Sequence, residues 1–260
     1  MLERIRAFQA ALQDRIAARR EPFEHGVGLF VDELPDVWDM NFLRVVRPAA
    51  PEALMESAER LHAAAGQRHR QLDVHDPALG VELEPDFVAA GWKSERHLVM
   101  VRRRALDRAP ARVETREVSD DELEPGRELG IRSEVVDERV VRQLLEGERR
   151  RSRLIGARHF AAFVDERPAS YCSLYSDGET AQIEAVMTLA EYRGRGLARA
   201  VVTHALDEAA GHSLVFLTAD PDDWPWRLYE KLGFDRVGVY CRFRRVPAGP
   251  GRTPPPDRAA

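Results

Sequence analysis

Residues 183–200 read IEAVMTLAEYRGRGLARA. Up to Leu189 the side chains alternate. Gln182, Glu184, Val186 and Thr188 share one face, and Ile183, Ala185, Met187 and Leu189 the other, as a β-strand requires. Arg193-Gly194-Arg195-Gly196-Leu197-Ala198 then turns the chain into a helix whose polar stripe is Arg199, Thr203 and Asp207. Small residues at a helix entry let backbone N–H groups approach an anion, and the unpaired donors and dipole of a helix start favour phosphate there. The turn is therefore read as a diphosphate site. Two other phosphate motifs fail. The six residues from Gly194 read G-R-G-L-A-R, with arginine where a dinucleotide-binding fingerprint has its third glycine, and no G-K-[ST] follows.

Outward from this stretch the C-terminal half is regular. The pattern predicts strands at 112–118, 159–164, 170–175, 181–189, 214–219 and 236–243. It predicts two helices within 120–150 with a break near Val136-Asp137, and further helices at 196–210 and 224–232. Asp177-Gly178 is the strongest hairpin signal in the chain. The N-terminal half predicts an amphipathic helix over 2–19 stopped by Glu21-Pro22, a strand at 41–47 and a helix over 51–65 closed by Gly66. A strand near 70–74, a short helix over 84–90 and a strand at 97–102 follow. The pattern changes around Ala109-Pro110-Ala111, which places a domain boundary between residues 110 and 111, and the Pro-rich segment 247–260 has little to bury and is expected to be disordered.

Strands interleaved with helices predict an α/β layered fold with a mixed sheet. The halves echo one another: Phe87–Trp92 followed by His97–Arg102 parallels Leu228–Phe234 followed by Arg236–Phe243, each a short helix, a Gly-aromatic pair and a strand. A duplication whose first copy has decayed is the expectation.

Composition narrows the function. The 44% apolar content supplies a core, while the formal charge of −5 argues against nucleic acid, whose phosphates call for a basic surplus. Lys93 and Lys231 are the only lysines. Cys172 and Cys241 form no C-x-x-C pair, and no H-E-x-x-H occurs, so no metal site is expected. Residues 1–20 do not resemble a signal peptide, and no stretch approaches the roughly 18 apolar residues of a membrane helix. The expectation is a cytoplasmic chain acting without a membrane partner, as a monomer or homodimer.

Arg193-x-x-Gly196-x-Ala198, with the V-x-T strand end and Glu191-Tyr192 before it, resembles the R/Q-x-x-G-x-G/A loop of the GNAT-superfamily N-acetyltransferases. Asp222–Phe234, DDWPWRLYEKLGF, resembles that family's helix ending L-Y-x-x-x-G-F. The match covers roughly residues 112–245 in element order; the first half matches weakly, as in members that carry two repeats with one active. The resemblance implies acetyl transfer from acetyl-CoA to an amine by direct attack. The donor would be held by Val186, Met187 and Thr188 beside the acyl group, and by Arg193, Gly194, Arg195, Gly196, Leu197 and Ala198 at the diphosphate. The chemistry needs a base, an oxyanion donor and an acid for the leaving thiolate. Tyr229 is the candidate acid, against a core tyrosine. Glu184 is the candidate base, with Gln182 positioning water, against a carboxylate paired with one of the many arginines. A non-catalytic acyl-CoA sensor or interaction protein on the same fold is the alternative. His69 and His75 read as surface residues, and Cys172 as a small core residue.

Overall fold

The computed structural model describes residues 1–110 and 112–246; the segment 247–260 lies outside the described residues. Its elements are α1 (Leu2–Ile16), β1 (Arg19–Phe23), β2 (Gly26–Phe30), β3 (Phe42–Val45), α2 (Pro51–Ala64), β4 (Arg70–Val74), α3 (Pro77–Ala89) and β5 (Lys93–Arg102), followed by β6 (Thr115–Val118), α4 (Asp120–Arg132), α5 (Glu138–Ile155), β7 (Arg158–Val164), β8 (Arg167–Ser176) and β9 (Thr180–Thr188). Then come α6 (Leu197–Glu208), β10 (Leu214–Ala219), α7 (Pro225–Lys231) and β11 (Phe234–Arg245).

The chain forms two compact units. The N-terminal unit holds Gln9–His97 and the segment from Gly238; the C-terminal unit holds Met1–Phe8 and Leu98–Val237. In the N-terminal unit the strand order is β1-β2-β3-β4-β11. Adjacent pairs are antiparallel except β3–β4, and Cys241–Arg245 of β11 pairs with Arg70–Val74. In the C-terminal unit the order is β5-β10-β9-β8-β7-β6. Here β9–β10 is the parallel pair, and Leu98–Val101 of β5 pairs antiparallel with β10. The duplication thus shows in the topology. β1-β2-β3-α2-β4-α3-β5 repeats as β7-β8-β9-α6-β10-α7-β11.

Each unit has its own apolar core. In the C-terminal unit Phe160, Cys172, Ile183, Val201, Leu217, Tyr229 and Phe234 pack between sheet and helices. In the N-terminal unit Phe30, Leu43, Leu54, Leu72, Phe87, Cys241 and Phe243 do so. Burial of this kind contributes about 25 cal/mol per Å² of apolar surface. Local signals set the boundaries. Ser119 and Glu122 form a reciprocal capping box that starts α4, and Asp137 caps α5, where the Val136-Asp137 break is read in the sequence.

The structure corrects several expectations. The first helix ends at Ile16, and Pro22 lies inside a strand; β1 is an edge strand, where a missing N–H is tolerated. β2 is unanticipated because two glycines hide it. A Cβ at Gly26 would strike the Arg44 carbonyl, and one at Gly28 would lie 2.7 Å from the Phe30 ring. His69 is fully buried rather than at the surface, with its ring 4.9 Å from Trp38 and Nε2 2.7 Å from the Asn41 carbonyl. His75 is half-buried and stacked on Tyr240 at 4.9 Å.

Candidate active site

The site is built on the end of β9. Across from β8, Ser173 is paired with Glu184 and Tyr171 with Met187, so three steps on β9 span two on β8. This is a β-bulge, and Ala185 adopts φ +53°, a left-handed conformation that costs a residue with a side chain about 1–2 kcal/mol. The bulge shifts the phase of the strand. Residues opposite one another in a ladder share a face, so Gln182, Glu184 and Met187 lie with Tyr171, Ser173 and Tyr175, under α4 and α5. Gly130 of α4 packs against Tyr171 and Met187 there. Val186 packs on the opposite side, with the core around Cys172, Ile183 and Tyr229. Thr188 sits with Ser170, their hydroxyls 2.8 Å apart. Strict alternation put Glu184, Val186 and Thr188 on one face; the inserted residue separates them.

β9 also parts from β10. Their register covers only Thr180–Gln182 with Leu214–Phe216, whereas β9 runs on to Thr188 and β10 to Ala219. Beyond Gln182 the strand's outward backbone groups have no ladder partner in that register. The same parallel pair in the N-terminal unit, β3–β4, is paired up to the last residue of each strand.

After β9 a short 3₁₀ turn, Ala190–Tyr192, leads into the exposed segment 193–196. Gly194 and Gly196 have φ +76° and +78°, a conformation glycine adopts without penalty. Gly196 is the N-cap of α6, and no side chain caps its first amides. A Cβ at Gly194 would meet nothing within 4 Å, so the loop is open on that side. Leu197 is buried and anchors the helix start, and Ala198 is half-buried. Arg193 Nε donates to the Thr188 carbonyl at 3.2 Å; Arg195 reaches the Glu191 carbonyl at 3.5 Å and lies over the Tyr192 ring. Both arginines are exposed. Their backbone contacts fix the loop and leave the side chains at the rim. Arg199 is not part of a polar stripe. It is 4% exposed and donates to Asp107 at 2.7 Å, and Thr203 is buried beside it on α6. In the first copy the matching segment, Val46–Ala50, has no glycine and contains Pro48, and α2 begins with Pro51, which has no N–H.

Gln182 Nε2 donates to Glu184 Oε2 at 2.5 Å, which orients the carboxylate. Tyr229, on α7, is 2% exposed, with its ring edge-on to Phe234 at 6.3 Å. Burial, followed by the negative charge of Glu184, raises its pKa well above the usual phenol range. Tyr229 is therefore a protonated hydrogen-bond donor at neutral pH and feels the charge of Glu184. Cys172 is fully buried, and its thiol is pushed up by burial, which fits a core residue rather than a nucleophile. Trp226 donates to the Pro221 carbonyl at 3.0 Å and carries Arg236 over its ring, so it packs. Among the described residues no group of three His, Cys, Asp or Glu side chains is placed to hold a metal, and no helix is long and apolar enough to cross a membrane.

Sequence reasoning missed the polar residues behind this face. Asp120, Ser152, His159 and Ser173 form one hydrogen-bonded chain in the C-terminal unit. They come from α4, α5, β7 and β8, and no local spacing relates them.

Residues 129–234 match the model of the acetyltransferase (GNAT) family. No curated protein matches the chain significantly. Among solved structures, a functionally unknown conserved protein from Staphylococcus epidermidis superposes with a TM-score of 0.72 at 13% identity, over 87% of this chain and 92% of its own. A GCN5-related N-acetyltransferase from Kribbella flavida gives 0.65 at 20% identity over 95% of each chain. A tandem GNAT protein from the clavulanic acid biosynthesis pathway gives 0.50 at 18% identity over 81% of this chain and 76% of its own. At these identities the likeness is one of fold.

Proposed function

We propose that the C-terminal unit, in which residues 129–234 match the model of the acetyltransferase (GNAT) family, transfers an acetyl group from acetyl-CoA to an amine. One observation carries the reading. An uncapped helix start with two left-handed glycines adjoins a bulged strand end whose outer edge has parted from its neighbour. The N–H groups at Gly194–Ala198 suit a diphosphate, with Arg193 and Arg195 adding charge at the rim. The parted edge at Val186, Met187 and Thr188 suits an extended amide-bearing arm, which hydrogen-bonds as an added strand would. Glu184 takes the proton of the attacking amine, the new C–N bond forms as the C–S bond breaks, and Tyr229 keeps its proton and donates a hydrogen bond to the departing thiolate, which is protonated by solvent as CoA leaves. The N-terminal unit lacks both the loop glycines and the parted pair, so it does not hold a donor in this manner.

Titration with acetyl-CoA and thiol release over a panel of amines test the reading. Gly194→Asp places a carboxylate where the diphosphate is expected, and Gly194→Asn is its neutral, near-isosteric control; both residues tolerate positive φ. Acetyl-CoA affinity is expected to fall by about 30-fold or more in the aspartate variant, roughly 2 kcal/mol, and much less in the asparagine variant. Equal affinity in all three proteins would remove the loop from donor binding. Binding without thiol release for every amine would favour an acyl-CoA sensor over an enzyme.

Tyr229→Phe is expected to lower kcat by about tenfold or more while acetyl-CoA affinity is kept, since only the leaving thiolate loses a donor. Unchanged turnover would make Tyr229 a core residue alone.

A further inference from the structure

In the C-terminal unit α4 and α5 lie on one face of the sheet and α6 on the other. Leu123 of α4 packs with Val118, Ala161 and Tyr171, whereas Val201 and Val202 of α6 pack with Cys172 and Ile183. Glu184 is on the first face, so an amine that gives it a proton has α4 and α5 as its roof. That roof is fastened to the sheet at a buried imidazole. His159 of β7 is 4% exposed, and its two nitrogens meet three other elements. Nε2 is 2.9 Å from Ser152 Oγ, in the last turn of α5, and 3.2 Å from Oδ1 of Asp120, the first residue of α4. Nδ1 is 2.8 Å from Ser173 Oγ on β8. The same Asp120 oxygen accepts from Ser152 at 2.9 Å and from Arg127 at 3.0 Å. Nε2 faces a carboxylate, which only accepts, so Nε2 carries the ring proton and Nδ1 accepts from the Ser173 hydroxyl. His159, Ser173 and Glu184 are successive ladder partners on β7, β8 and β9, so the fastening point and the carboxylate stand in one row of the sheet.

We infer that His159 is a positioning residue for the amine acceptor: it fixes the α4–α5 hairpin over the face of Glu184 and so sets the affinity for the amine, not for acetyl-CoA. This role rests on the acyl-transfer reading of Glu184. His159 touches no reacting atom and acts through the two helices. Their far end is held differently. Ile131, Val135, Val140, Val141 and Leu145 form an apolar cluster of helix residues, and Val136 at the turn is 95% exposed. Midway, Gly130 brings α4 against Tyr171 and Met187 beside the strand end. The pose of the hairpin root therefore decides the space between α4 and that strand end. Apolar packing tolerates several arrangements, whereas a satisfied buried polar network specifies one. Without the imidazole, Asp120 and Ser152 lose their tie to β7 and the root can shift. The donor is proposed to lie at the start of α6 and the parted edge of β9, which the imidazole does not touch, so its binding is spared.

The test compares wild type with Ser152→Ala, His159→Leu and His159→Gln in the full chain, using an amine that the panel above finds active and measuring kcat and both KM values. His159→Leu is expected to raise the KM for the amine by about tenfold or more, and Ser152→Ala by about fivefold, with the KM for acetyl-CoA within about twofold of wild type. His159→Gln returns an amide N–H to the side of Nε2 and is expected to recover most of the loss seen with leucine. Ser152→Ala removes one oxygen and carries the test where the His159 variants do not fold. An unchanged KM for the amine in Ser152→Ala, or two KM values that rise together, would overturn the positioning role. A wild-type protein that releases no CoA with any amine would instead overturn the acyl-transfer reading, and this role with it.

Discussion

Glu184→Gln is expected to lower kcat for amine acylation by about 100-fold or more while acetyl-CoA binds as before, because a positioned general base contributes about 10²–10⁴ in rate. The expectation follows from the role proposed for Glu184, and its surroundings suit that role. The bulge turns its side chain away from the apolar core and under α4 and α5, the face shared with Tyr171, Ser173 and Tyr175. Gln182 fixes one of its oxygens at 2.5 Å, and its charge is felt by the Tyr229 phenol. The proposed base, Glu184, and the proposed donor to the thiolate, Tyr229, therefore flank the strand end where the thioester is proposed to lie. Glutamine keeps the size and a hydrogen-bonding carbonyl but accepts no proton at any useful pH, so packing is preserved while the chemistry is lost. The pH–rate profile sharpens the test: wild type should lose activity as acid protonates the carboxylate, and the variant should lose that limb. A variant with the same acid limb and near-normal kcat would return Glu184 to the role of a structural carboxylate.

The second large effect concerns stability. Gly233→Ala is expected to destabilise the C-terminal unit by about 3 kcal/mol or more, combining a left-handed alanine with severe overpacking. Gly233 has φ +87°, and a Cβ there would sit inside contact distance of the Arg104 carbonyl oxygen and 2.8 Å from its carbon. The close approach is functional to the fold. The Gly233 carbonyl accepts from the N–H groups of Arg103 and Arg104 at 3.0 and 3.1 Å, which pins the chain leaving β5 to the turn after α7. Arg104 then reaches Asp235 at 2.7 Å. Gly91 is the matching residue of the first copy. It has φ +79°, but a Cβ added there would meet nothing within 4 Å, so Gly91→Ala should cost only about 1 kcal/mol. Urea unfolding of the two variants checks the contrast, and equal losses would show that backbone conformation alone, without the Arg104 contact, sets the cost.

The comparison of these two glycines shows what a sequence conceals. Gly-Trp after α3 and Gly-Phe after α7 look alike, and both glycines are left-handed as the pattern implies. Only one has a foreign backbone against it, because the segment that fills that space lies some 130 positions away in the chain. Likewise Arg199 reads as a polar helix residue until Asp107 is found beside it, and His69 reads as exposed until β4 proves to be an interior strand.

The features legible in the linear chain are the local ones. Glycine spacing marked the loop at Gly194–Gly196, Asp177-Gly178 marked the hairpin, and apolar periods marked most helices and strands of the second half, because dihedral preference and amphipathicity act over a few residues. Packing settled which face Glu184 presents, which strand closes each sheet, and which buried groups stand behind the site. A single extra residue in β9 inverts every side chain beyond it, and nothing within the strand announces that residue. It exists because β8 pairs on both sides of it, and pairing between distant segments is fixed only when the chain folds onto itself.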